Sequence, residues 1–351
     1  MKTRLVAASL LAALCLAPLQ SRADDLSARA GQVKALLQST WLPAWAAKSP
    51  ANESATDAAF LLQTLSHAHR LGYSSGQLDL LGAARVHYKL LRDSRRDKTH
   101  DGFFFSVDER DRPVKYTMIQ AQVVSALVEY ARASKESEPR GLAIKTWRLL
   151  RDRARDKTNG GYFDAFVSGT LGPTQASGSA EKSAVPHLTL LEAGTALFEF
   201  TRDRSIRRDL EELLDLNQGR FFPARTEDGA LQFTGDWKPR LRPTDNSDLL
   251  ALFLSTQLEA GSAIARAQNA LGLPVGWVDF ARRADAPGQT QDPVFVGRAL
   301  DSLSLLARNV GRERRAAQID EVLDTLNSQT PTARTGPALL DFAAAVDTPT
   351  R

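Results

Sequence analysis

The segment PHLTLLEA (186–193) carries the residue types best suited to proton chemistry in this chain. His187 stands where the periodicity predicts the first turn of a helix, reached from the Gly/Ser-rich stretch 169–183, and Glu192 lies five residues on. Imidazole titrates near neutral pH and serves as acid or base, while a carboxylate in an otherwise apolar helix needs either a partner or a task. The plainer reading gives His187 a capping or core role and Glu192 an Arg or Lys partner. A second cluster, GDWKPRLRPTDNSDLLALF (235–253), sets Asp245 and Asp248 before another apolar helix. Acids there are ordinary N-caps. Paired across a cavity, they are also what glycoside hydrolysis uses, one as acid and one as base or nucleophile. His187, Glu192 and Asp248 are the catalytic candidates, and Asp245 is a candidate substrate contact.

The remaining histidines offer less. His67 and His69 are two apart, which sends them to opposite sides of a helix and makes a poor metal pair. His87 falls inside a helix as a packing or surface residue, and His100 opens a turn. No metal-ligand spacing, phosphate loop or nucleophile elbow occurs, so neither metal nor cofactor is implied.

The elements that must position these groups show through a repeat. RDKTHDGFFFSVDERD begins at Arg96 and is echoed by RDKTNGGYFDAF from Arg155. Helical periodicity alternates with Gly-aromatic punctuation, GFFFSVD (102–108), GGYFDAF (160–166) and GRFFPAR (219–225), each about one helical hairpin apart, in which the Gly permits a tight approach after a helix and the aromatics are expected to start a strand. About twelve helices fit between residues 26 and 346, which makes six hairpins. A series of hairpins buries its apolar faces as an open solenoid or a closed toroid. Long loops at one end and uneven repeats favour the closed form, all-α with brief strands at that end.

Residues 1–23 (MKTRLVAASLLAALCLAPLQSRA) read as a cleavable signal peptide, with basic residues, a short apolar stretch and a small-x-small site. The expected mature chain, 24–351, is a single domain in the periplasm or outside the cell. Cys15, the sole cysteine, leaves with the signal, so no disulfide is expected. Removing Lys2, Arg4 and Arg22 from the 45 basic residues leaves 42 against 41 acidic ones. That near balance, with acids interleaving every Arg-rich patch, argues against nucleic acid as a partner. No later segment reaches transmembrane length. Nothing in the sequence sets the oligomeric state.

GFFFSVDERDRPVKYTMIQAQVVSALVEYARASKE, GGYFDAF, SAVPHLTLLEAGTALFEFTRD and GDWKPRLRPTDNSDLLALFL occur in an order that resembles the N-acylglucosamine 2-epimerase family, which includes cellobiose 2-epimerases and mannose isomerases. The resemblance implies an (α/α)6 barrel with a carbohydrate site in the cavity at one end. It also implies removal and return of the proton beside a sugar carbonyl, by two histidines. The family reads like PHxHLLEA where this chain has PHLTLLEA, so His187 and Glu192 match while Thr189 holds the catalytic place. In the segment after the DW motif Asp248 matches, and Ser247 stands where the second histidine belongs. A hydroxyl cannot replace imidazole as a base without another base beside it.

Two expectations follow. In the first, an exported epimerase-like barrel holds a saccharide while its acid–base centre is altered, so that it binds sugar or processes it by carboxylate chemistry as a hydrolase or lyase. Phe103, Phe105, Tyr116, Tyr162, Phe163 and Trp237 would stack on sugar faces, and Thr189, Asp245 and Ser247 would contact hydroxyls. Barrel packing is the competing role for each aromatic. In the second, the toroid is a non-catalytic envelope scaffold whose loops bind another macromolecule.

Overall fold

A computed structural model describes residues 31–241, apart from positions 33, 52, 76 and 231 and segments 107–113, 168–179 and 222–229, together with Ala260, Ala263 and Leu340. A short helix α1 (Leu42–Ala46), extended upstream by a widened turn at Leu37–Trp41, precedes three helical hairpins. These are α2 (Ala55–Arg70) with α3 (Leu80–Lys89), α4 (Thr117–Ser134) with α5 (Ser137–Leu149), and α6 (Ala184–Thr201) with α7 (Arg204–Leu216). The first helix of each pair packs on the first helix of the next, α2 on α4 and α4 on α6, while α3, α5 and α7 cover them from outside. The expected alternation of helices thus becomes an inner and an outer layer.

Local sequence explains the boundaries. Asp79 and Asp203 cap α3 and α7 by accepting backbone N–H groups of Gly82 and Ser205, both at 2.8 Å. The turns from inner to outer helix are tight in the second and third hairpins, where Lys135 (φ 63°) and Arg202 (φ 58°) end α4 and α6 in the left-handed region, at a cost of about 1 kcal/mol each. Every outer helix ends in a widened turn, at Leu90–Arg95, Leu150–Ala154 and Asn217–Phe221. This corrects the expectation for GRFFPAR: Gly219, Arg220 and Phe221 finish the third outer helix instead of opening a strand. Phe221 is drawn inward there, against Phe233 and Trp237 at 5.4 and 5.8 Å between ring centres.

Beyond each widened turn the chain forms short antiparallel ladders. β1 (Val114–Tyr116) pairs with β2 (Ala165–Val167), with Lys115 opposite Phe166. β3 (Glu181–Ser183) pairs with β4 (Gln232–Thr234), with Lys182 opposite Phe233, and β5 (Pro239–Leu241) adds to β4. Each strand that leads into an inner helix therefore pairs with the strand that follows that hairpin.

The echoed motif is one device built twice. Asp97 Oδ1 accepts the backbone N–H groups of Thr99 and His100, and Asp156 Oδ1 those of Thr158 and Asn159, at 2.8–3.0 Å. A fully buried lysine from the following strand reaches the other carboxylate oxygen: Lys115 to Asp97 at 2.9 Å and Lys182 to Asp156 at 2.8 Å. Burial pulls both lysines below their usual value, against the pull of their aspartates. Burial also opposes the aspartate charges, but the converging N–H donors keep both carboxyls below the ordinary range. Gly102 (φ +75°) and Gly161 (φ +73°) hold equivalent places, where a Cβ would lie 2.8 Å from Gln120 Oε1 in the first loop and 2.6 Å from the Trp237 ring in the second.

Candidate functional site

Hydrogen bonds between successive inner helices set their relative direction. Gln122 Nε2 donates to Gln63 Oε1 at 2.8 Å, His67 Nδ1 lies 2.9 Å from Glu129 Oε1, and Arg132 donates to the Ala196 carbonyl at 3.0 Å. These partners are 59, 62 and 64 positions apart, so α2, α4 and α6 run parallel and nearly in step. Their N-termini share the end that carries the long loops and strands.

One stripe of each inner helix escapes full burial or carries polar groups, as the 3.6-residue period requires. On α2 the stripe is Asp57, Phe60, Gln63 and His67; on α6 it is Val185, Thr189, Glu192, Ala196 and Glu199. On α4 it runs Met118, Gln122, Glu129 and Arg132, interleaved with apolar residues buried against the outer layer. The half toward the loops is polar, with Gln63, Gln122, Thr189 and the half-buried Glu192. The half toward the tight turns is ionic: Glu129 meets His67, Arg70 and Arg132, and Arg132 lies 3.8 Å from Glu199.

His187 is on α6 but not on this stripe. Its ring is fully buried, its Nε2 accepts the Tyr162 backbone N–H at 3.0 Å, and its Nδ1 donates to the Ser183 carbonyl at 2.8 Å. Accepting at Nε2 fixes the proton on Nδ1, so the ring is neutral and both nitrogens are engaged. Burial drives its pKa down to about 4, helped by nearby Lys182 and opposed by the bond to Ser183.

Thr189 faces the partly open stripe, where its hydroxyl donates to the Val185 carbonyl at 2.9 Å, and Glu192 follows one turn later on the same face. The resemblance's catalytic place and its glutamate therefore lie together, with no imidazole between them. Phe103, Tyr162, Phe163 and Trp237 are all buried among protein groups, where they build the loop device and offer no open face to a sugar. Phe105 and Tyr116 remain exposed at 39% and 43%. Both sit at the loop end: the Phe105 carbonyl accepts the Ala55 N–H at the start of α2, and Tyr116 directly precedes α4. Asp245, Ser247 and Asp248 lie outside the described residues.

Sequence reasoning passed over Met118, Gln63 and Gln122, although polar residues at helical spacing within TMIQAQVVSALVEYA were the available signal. It also passed over Asp164, which accepts the Ser183 backbone N–H at 2.7 Å beside the start of α6; burial raises its pKa against that bond. Among the described residues no group of three or more His, Cys, Asp or Glu is placed to hold a metal ion, and no helix is long and apolar enough to cross a membrane.

This architecture is that of an (α/α)6 barrel. A cellobiose 2-epimerase from Spirochaeta thermophila superposes with a TM-score of 0.76 at 21% identity, covering 92% of this chain and 97% of that one. A family 76 glycoside hydrolase (mannosidase) from Bacteroides thetaiotaomicron superposes at 0.60 and 12% identity, covering 93% and 98%. The family model for N-acylglucosamine 2-epimerase (GlcNAc 2-epimerase) matches residues 51–264, more than half of the chain, and the chain belongs to that family. A cellobiose 2-epimerase from Dictyoglomus turgidum is 29% identical over 147 residues, 40% of this chain and only 37% of that relative.

Proposed function

We propose that this protein is an exported sugar-handling member of its family, in which a neutral saccharide sits at the loop end of the barrel and imidazole-based proton exchange has been lost. The observation that carries the reading is Thr189. It occupies the stripe beside Glu192, and its hydroxyl is turned back onto its own helix. A hydroxyl so bonded is no base near neutral pH. Gln63, Gln122 and Glu192 supply the mixed donors and acceptors that sugar hydroxyls require, while Phe105 and Tyr116 offer open ring faces at the rim. Asp245, Ser247 and Asp248 stay with this reading as sequence candidates for sugar contacts, Ser247 standing in the sequence where the resemblance puts the family's second histidine. The signal-like sequence at 1–23 supports export in this reading, with the activity outside the inner membrane.

The test combines saturation-transfer NMR with C2 proton exchange in deuterated buffer, using mature protein and a panel of mannose, glucose, N-acylated amino sugars and cellobiose. Binding of at least one sugar, weakened about tenfold or more by Glu192→Gln, with no exchange above the no-protein control, is the expected result. Exchange at C2 that Glu192→Gln abolishes would mean that the epimerase reaction survives on other groups. Absence of binding to any sugar by folded protein would remove the saccharide reading and leave the scaffold role.

A further inference from the structure

We infer that His187 is a positioning residue: its neutral imidazole does for the second loop what the Gln120 carboxamide does for the first, and it gives the second loop an acid-sensitive bond where the first has an amide. The first loop's own histidine, His100, lies at its tip, 3.6 Å from Asp97 Oδ2. The two copies of the loop device supply the comparison. Lys115 and Lys182 are equivalent, and five residues after each stands Gln120 or His187. In the first copy Gln120 Oε1 accepts the Phe103 backbone N–H at 2.8 Å and its Nε2 donates to the Phe103 carbonyl at 2.9 Å. In the second, His187 Nε2 accepts the N–H of Tyr162, the counterpart of Phe103, at 3.0 Å. Equivalence extends to the flanking bonds: Asp97 N–H to the Gly102 carbonyl and Asp156 N–H to the Gly161 carbonyl, at 2.9 and 2.8 Å. A residue whose counterpart is a non-titrating amide in the same bond needs no acid–base role to explain its place.

The substitution changes one property. A carboxamide accepts at every pH, whereas an imidazolium has N–H on both nitrogens and accepts at neither. Protonated His187 would face the Tyr162 N–H with another N–H, within a buried cluster that already holds Lys182. Among the described residues the charged groups around it are Lys182 on β3, tied to Asp156, to the Gly160 carbonyl and to the Gly235 carbonyl, and Arg220, whose guanidinium lies 5.5 Å from the Trp237 ring centre. Asp164 bonds Ser183, the residue that receives His187 Nδ1–H. The Phe221 and Trp237 rings complete the enclosure, at 4.8 and 6.1 Å from the imidazole. Among the described residues the nearest carboxylates thus already serve Lys182 and Ser183, and an imidazolium in this fully buried place would lack a dedicated counter-ion.

Hydrogen exchange followed by mass spectrometry reads both loops in one sample. Deuterium uptake of segments 96–105 and 155–164, corrected for intrinsic exchange, is compared from pH 7.5 to pH 4 in the full chain and in His187→Gln. Protection of 155–164 is expected to fall by about tenfold or more in the wild type on going from pH 6.5 toward 4, with 96–105 unchanged and both segments level in His187→Gln. The reciprocal Gln120→His is expected to transfer the acid response to 96–105. Equal loss in both wild-type segments, or a His187→Gln response identical to wild type, overturns the inference. So does loss of saccharide binding at pH 7 in His187→Gln with the protection of 155–164 intact, because it would return the ring to a chemical role.

Discussion

At the scale of single residues, Lys182 satisfies three buried acceptors at once. Its ammonium is fully buried and donates to Asp156 Oδ2, the Gly160 carbonyl and the Gly235 carbonyl at 2.7–2.8 Å, with the Trp237 ring centre 4.4 Å away. Truncation would strand three buried acceptors, one of them charged, which is far costlier than losing an exposed pair. Lys182→Ala is expected to destabilise the protein by about 3–5 kcal/mol in denaturant titrations at pH 7. Lys115→Ala is expected to cost less, since among the described residues Lys115 bonds Asp97 and stacks on the Phe104 ring at 3.4 Å without a carbonyl partner. Equal costs for the two would show that the extra carbonyl bonds of Lys182 contribute nothing.

At the scale of elements, Gly194 sets how closely α6 approaches the outer layer. A Cβ there would lie 2.7 Å from the Trp147 ring and 2.8 Å from Leu210 Cδ2, and Trp147 cannot simply swing away because its Nε1 donates to Asp209 at 3.0 Å. Alanine would raise helix propensity by about 1 kcal/mol, yet overpacking costs about 1–3 kcal/mol. Gly194→Ala is therefore expected to lower the thermal midpoint while leaving the mouth loops unchanged by hydrogen exchange, and a raised midpoint would mean that the hairpins can slide apart. The same elements show what could be read in advance. Helices α2 to α7 were legible for different reasons: α7 carries a strong amphipathic period, whereas α6 is apolar almost all round and shows itself by its long apolar run. The echo marked the loop device, but not its mechanism, because Asp156 and Lys182 are 26 positions apart and a buried lysine has no local signature. His187 looked like an acid–base group because its segment carries Pro, His and Glu at familiar spacing. Its counterpart Gln120 became visible only when the fold brought Phe103 and Tyr162 into equivalent places. The Gly-aromatic run at 219 misled for a simpler reason: a helix end and a strand start share the same residues.

At the scale of the whole molecule, the inner layer is tied at the end away from the site by Glu129, which joins α2 to α4 through charge. Its carboxylate receives Arg70 Nε at 2.5 Å and lies 2.9 Å from His67 Nδ1, and Arg132 carries the connection to α6 through the Ala196 carbonyl. Burial pushes the Glu129 carboxyl up, but facing His67 and Arg70 outweigh it and bring its pKa down to about 2 from 4.5. A depressed carboxyl contributes stability that is complete above the unfolded value and lost as pH falls through the folded one. Glu129 should thus hold the barrel fully above about pH 4.5 and release it progressively toward pH 2, by about 3 kcal/mol in all. His187 acts in the neighbouring window: its depressed value means that stability is full above about 6.5 and declines as pH falls toward 4. The two windows scarcely overlap. Denaturation midpoints measured from pH 7.5 to pH 2.5 should therefore show His187→Gln flattening the upper part of the acid slope and Glu129→Gln the lower part. Glu129→Gln should also cost about 3 kcal/mol at pH 7 by leaving the arginines short of a counter-charge. If one variant flattened the whole slope, the mouth and the ionic end would be opening as a single cooperative unit, and the loops could not loosen around a sugar while the inner layer stayed closed.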